Sequence, residues 1–132
     1  MKNIFALLLL AFTAITTNAQ ETATIGNNFT FKGKLISDVV KSPQCGVIAS
    51  AIVLEFKVLD DPGNAVSGKT IGIVIPCPEL YGKDFFENGE KYTLTVADKN
   101  QETFEYLIPN EAALEKYNLP NKLYAVEVVL AD

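Results

Sequence analysis

The chain of 132 residues contains no histidine, no tryptophan and no arginine, and its one methionine is Met1. Each absence closes a chemistry. Without histidine there is no side chain whose ordinary pKa lies near neutrality and no imidazole for a metal. Triads built on His and His-bearing zinc sites are thereby excluded. Without arginine there is no planar bidentate clamp for phosphate or carboxylate. Positive charge is also scarce: 11 lysines face 16 Asp plus Glu, a formal net charge of −5. Such a surface repels nucleic-acid backbones and anionic lipid headgroups, so neither is an expected partner.

The N-terminus has three parts in order. Lys2 is followed by an apolar run over 4–15, broken only by Thr13, and then by Thr17-Asn18-Ala19. The run is shorter than the ~20 residues needed to cross about 30 Å of hydrocarbon. A buried helix is the alternative, but the charged start and the small residues before a cut after Ala19 point to a secretory signal. The expected organisation is a signal peptide over 1–19 and one domain over 20–132. Losing Lys2 leaves 10 lysines against 16 acids, a net charge of −6. The mature chain is expected to be exported, periplasmic or extracellular, with no membrane insertion after cleavage. Only two cysteines occur, Cys45 and Cys77. An even count in an oxidising compartment reads as one disulfide; a free reactive thiol would lack a neighbouring His or a Cys-x-x-Cys pair.

Period-two alternation runs through most of the mature chain and predicts six strands. "NFTFKGKLIS" sets Phe29, Phe31, Gly33 and Leu35 on one face. "AIVLEFKVLD" does so with Ile52, Leu54, Phe56 and Val58, "KTIGIVIP" with Ile71, Ile73 and Ile75, and "KYTLTVAD" with Tyr92, Leu94 and Val96. "ETFEYLIP" offers Phe104, Tyr106 and Ile108, and "KLYAVEVVL" offers Tyr124, Val126, Val128 and Leu130. Helical signals are short. "PELYGKDFFENG" can hold a turn or two, and "NEAALEKYNLP" reads as a helix capped by Asn110 and closed by Pro120.

"GNAVSGKT", residues 63–70, matches the phosphate-loop pattern letter for letter. A phosphate loop needs a helix behind it, whose first N–H groups hold the anion. Here Ile71-Gly72-Ile73-Val74-Ile75-Pro76 follows, a strand composition, and Asp60-Asp61-Pro62-Gly63-Asn64 is turn chemistry. The match is therefore read as a hairpin turn, with no nucleotide and no cofactor. Asp60, Asp61 and Asn64 could offer oxygen ligands to calcium, but Ala65 stands where the calcium-loop pattern needs Gly, so a plain turn is favoured. Glu79, Asp84, Glu87 and Glu90 could hide a carboxylate pair for glycoside hydrolysis, without the Trp and Arg that sugar clefts commonly add. In "PCPELYGKDFFENGEKY", Tyr81, Phe85 and Phe86 concentrate aromatic area. Exposed, they would form a partner-binding patch; otherwise Phe85 or Phe86 plugs one end of a closed sheet.

Short antiparallel strands with an insertion between the third and fourth fit an all-β fold with one or two short helices. The architecture expected is a small antiparallel barrel of the oligonucleotide/oligosaccharide-binding (OB) type. Gly33, Cys45-Gly46, Cys77, Phe86, Gly89 and Tyr92-Thr93-Leu94 resemble the barrels of netrin modules and tissue inhibitors of metalloproteases. Those inhibitors place an N-terminal Cys on the protease zinc, and no Cys lies near Gln20, so that chemistry is not implied here. The stretch C-P-E-x-x-G-x-x-F-F, Cys77 to Phe86, is similar to one in small exported bacterial proteins. Asp60, Gly63, Asn64, Gly68, Ile71 and Ile73, with Tyr92, Leu94 and Val96 later, also resemble the transthyretin-like or carboxypeptidase-regulatory sandwiches of exported bacterial proteins, and a transthyretin-like or Ig-like β-sandwich is the alternative fold. Counting register from a turn at 61–69 sets Cys77 opposite a residue near 52. A bridge to Cys45 then requires residues 44–49 to fold back or the strand to bend. The functional expectation is a non-enzymatic exported module that binds a protein or other envelope component. A protease inhibitor and a carboxylate-only hydrolase are the alternatives.

Overall fold

Five strands make the fold, with alternate residues of β1 to β4 turned toward one core. The computed structural model describes residues 27–66 and 70–132, so the expected signal peptide and the centre of the "GNAVSGKT" turn lie outside the described residues. Strands β1 (Asn28–Leu35), β2 (Ala51–Asp60), β3 (Thr70–Pro76), β4 (Lys91–Ala97) and β5 (Tyr124–Leu130) close in the order β1-β2-β3-β5-β4. Every neighbouring pair is antiparallel except β3 and β5, which meet in parallel. This is a small OB-like barrel; the sandwich alternative is not formed, because one sheet closes on itself.

The inward face is the one that alternation predicts for the first four strands. Phe31, Leu35, Ile52, Leu54, Phe56, Ile71, Ile73, Ile75, Tyr92, Leu94 and Val96 are all buried in one cluster. Gly33 has a packing reason: a Cβ there would stand 3.0 Å from the Phe56 Cβ and 3.1 Å from the Phe31 ring. Past the turn, Thr70 to Pro76 pair with β2 from Lys57 to Ala51, so an extended strand occupies the place where an anion-cradling helix would stand.

Three expectations are corrected. "ETFEYLIP" is not a strand. Only Leu107 pairs, in a single parallel bridge with Ser50, and Pro109 has no N–H to extend a ladder. From there the Asn110 side chain substitutes for a strand: its Oδ1 accepts from Val53 N and its Nδ2 donates to Val53 O, both at 2.8 Å. The helix expected after Asn110 is a 3₁₀ segment, Glu111–Tyr117, without a side-chain cap, because the amide that would cap it is spent on β2. In β5 the inward set is Ala125 and Val128, while Val126 and Leu130 are exposed and Tyr124 packs outside. Register slips between Thr95 and Val96, which oppose Glu127 and Ala125 and leave Val126 bulged. A one-residue slip moves every later side chain to the other face.

The 106–117 stretch covers the outer face of β2 and β3. Ala51, Val53, Val74, Ile108 and Tyr124 form a second cluster there, flanked by Tyr106, Ala113 and Leu114. Gly72 permits the approach, since a Cβ would lie 2.9 Å from Leu114 Cδ2.

Candidate functional site

The site is built around the two cysteines. β3 leaves the barrel at Pro76, and Cys77 follows with φ 45°, in the left-handed region that turns the chain sharply. Cys77 N–H donates to Ser50 O at 3.0 Å, so Cys77 stands opposite Ser50, not Cys45. The stretch before β2 folds back in turns over 45–47 and brings the two residues together. Cys45 and Cys77 are disulfide-bonded with a Cα separation of 5.6 Å. Glu79 accepts from Cys45 N at 2.6 Å and ties the bridge to the 3₁₀ turn Pro78–Tyr81. Cys45, Cys77 and Glu79 are the one metal-type cluster among the described residues, but the sulfurs are bonded to each other and offer no thiolate.

The aromatic segment behind the disulfide divides between two roles. Phe86 is buried in the main core, and Phe85 and Tyr81 pack against it half-buried. Their rings form a continuous set with Tyr92: Tyr81–Phe86 at 5.1 Å, Phe85–Phe86 at 4.9 Å and Phe86–Tyr92 at 5.5 Å. The buried Tyr92 hydroxyl donates to Phe85 O at 2.7 Å and accepts from Glu87 N at 2.8 Å, pinning the segment over the barrel end. Phe86 thus serves as a plug. Phe85 and Phe86 line a hollow of about 450 Å³ with Val39, Val40 and Gly82, whereas Tyr81 lines a separate cleft between β3 and β5.

That cleft opens where β3 and β5 part. Their register holds at Val74 and Tyr124 alone. Beyond it Pro76, Cys77, Leu80 and Tyr81 form one wall and Tyr124, Ala125 and Val126 the other, around about 370 Å³. Tyr106, Asn100, Gln101 and Glu102 close the third side. Asn100 shapes that loop, donating to Phe104 O at 2.7 Å and accepting from Glu102 N at 2.9 Å. Leu80 is 78% exposed on the rim. A smaller hollow of about 210 Å³, lined by Cys45, Val47, Ile48, Phe104 and Tyr106, adjoins it across Cys77 and Tyr106. Val47 there is 95% exposed. Burial raises the phenol pKa of Tyr81, helped by Glu127, of Tyr106, helped by Glu102, and of Tyr124. All three stay neutral hydroxyls at physiological pH, able to donate and to accept.

The remaining sequence candidates do not converge on this cleft. Asp84, Glu87 and Glu90 are exposed on the plug segment, and Glu79 is engaged by the disulfide turn. Asp60 pairs in register with Lys32 at the end of β2. The Asp61 carboxylate accepts from Val66 N at 2.7 Å while its carbonyl accepts from Asn64 N at 3.0 Å, a side-chain-stabilised turn. A larger hollow of about 520 Å³ beside the 3₁₀ segment is lined by Ala112, Leu114 and Leu119 together with polar side chains that include the paired Glu111 and Lys122.

Sequence reasoning found Cys45, Cys77 and Tyr81 but missed Leu80, Tyr106, Tyr124, Val126 and Val47. One signal was legible: Val47 sits beside Gly46 in a turn next to a cysteine, an apolar residue where solvent is expected. Compared with known proteins, the chain matches no family model, no curated protein and no solved structure, and nothing beyond the barrel itself links it to netrin modules or metalloprotease inhibitors.

Proposed function

We propose that the protein is an exported, non-enzymatic binding module whose ligand site is the tyrosine-lined cleft between β3 and β5. The observation that carries this reading is the grouping of exposed apolar side chains at the disulfide, Leu80 and Val126 on the cleft and Val47 and Phe104 on the hollow that adjoins it. Its volume lies in the range of ligand pockets, roughly 300–1,000 Å³, and an apolar floor with a few convergent hydroxyls is the usual composition of such sites. The lining supplies no poised acid–base pair: Glu102 is its one carboxylate. The disulfide is compatible with export, and among the described residues no helix is long and apolar enough to cross a membrane. Nucleic acid is disfavoured on two grounds. The net charge is negative, and the outer face of β2 and β3, which OB barrels use for oligonucleotides, is covered by residues 106–117.

Site-specific photocrosslinking in the producing cell tests the reading. A photoreactive residue at Leu80 is expected to give a discrete adduct that the same residue at Lys32, on β1, does not give. Equal adducts from both positions, or none from Leu80, would remove the proposal.

A further inference from the structure

We infer that the cleft takes an extended peptide segment carrying apolar side chains flanked by lysine or arginine, added as a short strand along β5. The inference rests on the binding-module reading and names its ligand class.

Three observations carry it. β5 is paired with β4 along its length, from Tyr124 opposite Ala97 to Leu130 opposite Tyr92. On its other side, among the described residues, it pairs with β3 only at Tyr124. Ala125 closes the bridge to Val74, and from Val126 onward β5 presents, among the described residues, an edge that β3 does not match, starting in the cleft; an edge of that kind is a template for a further strand. The opposite wall cannot compete for those backbone groups. Pro76 has no N–H, and Cys77 turns the chain away. The bulge at Val126 aims an apolar side chain outward beside Leu80, giving an incoming residue a surface to cover.

Charge selects the ligand. Glu102 lines the cleft and no lysine does. Glu127 acts on the Tyr81 phenol, and Glu105 on that of Tyr124. Lys122, which acts on the Tyr124 phenol in the opposite sense, is already paired with Glu111. A cationic segment meets complementary charge from β5 and from the 100–106 segment, whereas an acidic one meets like charge.

The absence of tryptophan from the chain makes a direct assay available. The oxidised mature protein, residues 20–132, is titrated with a short peptide alternating lysine and valine around one tryptophan, read by tryptophan emission and by amide spectra. Two companions are tested, one with glutamate for lysine and one N-methylated at alternate backbone nitrogens. The expected result is saturable binding of the lysine peptide, with shifts at residues 124–127 and the Tyr81 and Tyr106 rings. The glutamate peptide should bind about tenfold more weakly or worse, since like charges face each other. N-methylation should weaken binding as strongly. Glu102→Lys with Glu127→Lys, both exposed, should reverse the charge preference in a protein whose amide spectrum is otherwise unchanged. Equal binding of lysine and glutamate peptides, indifference to N-methylation, or shifts away from β5 overturns the inference. If none of the peptides binds while the Leu80 crosslink still captures a partner, the peptide class is wrong and the binding reading survives. If both fail, both fall.

Discussion

Asn110 offers the sharpest perturbation of the fold that frames the site. Its amide makes two hydrogen bonds of 2.8 Å to the N–H and C=O of Val53, a residue 1% exposed near the start of β2. β1 ends its pairing with β2 at Leu35 opposite Phe56, so among the described residues no strand serves those groups. Asn110→Ala would leave a buried donor and a buried acceptor without partners. Each such orphan costs roughly 1–3 kcal/mol, and since Asn110 is only half-buried, water relieves part of it. The expected loss is about 2–4 kcal/mol, a large share of the ~5–15 kcal/mol that holds a domain together. Asn110→Asp keeps an acceptor for Val53 N but sets a carboxylate oxygen against Val53 O, so it should be destabilised as well. The assay is urea denaturation with an unchanged m-value, joined to hydrogen exchange of the Val53 amide. Protection of that amide should fall in the Ala variant, and exposed Asn121→Ala should stay within about 0.5 kcal/mol of the parent. An Asn110→Ala variant equally close to the parent, or a Val53 amide still fully protected, would refute the idea that this side chain completes the sheet.

Three further outcomes follow from the packing. Replacing both Cys45 and Cys77 by Ser opens a loop with a sequence separation of 32, which the loop-closure model sets at about 3.7 kcal/mol; a loss below about 1 kcal/mol in denaturant unfolding would contradict it. Tyr92→Phe removes the hydroxyl shared by Phe85 O and Glu87 N and should cost about 1–3 kcal/mol, with increased hydrogen exchange at Glu87. Burial pushes the Glu55 carboxyl up, but its ion pair with Lys116 and the Tyr117 hydroxyl outweigh that, and its pKa ends below the ordinary 4.5. A folded pKa below the unfolded one contributes stability above the unfolded value, lost as pH falls through the folded value. The stability difference between parent and Glu55→Gln should thus be constant at neutral pH and shrink as acid is added below 4.5. A difference independent of pH would count against it.

Much of the barrel is legible from alternation alone, because a half-buried strand must place its apolar residues at every second position. β1 to β4 obey this, and the β-branched run after Lys69 rules out a helix without reference to anything distant. The failures share a cause. "ETFEYLIP" alternates like a strand, yet Pro109 and the Asn110 clamp make it a covering segment; nothing local reveals that Val53 needs two partners. In β5 a single bulged residue, Val126, leaves Val128 on the face that alternation predicts and reverses the face before it, so that Ala125 and not Tyr124 points inward. The cleft was hidden for a deeper reason. Its tyrosines come from positions 81, 106 and 124, and they meet only because β3 and β5 separate after one register pair. Tyr81, Phe85 and Phe86 look alike in sequence, but only the closed barrel decides which ring plugs the end and which lines the opening.

The most direct test of the account is an amide spectrum of the isotopically labelled protein, residues 20–132, with and without concentrated extract of the producing cell. The cleft reading predicts changes confined to Cys77, Leu80, Tyr81, residues 100–106 and residues 124–127. Changes confined instead to the outer face of β1 and β4, at Thr30, Lys32 and Thr95, would contradict it.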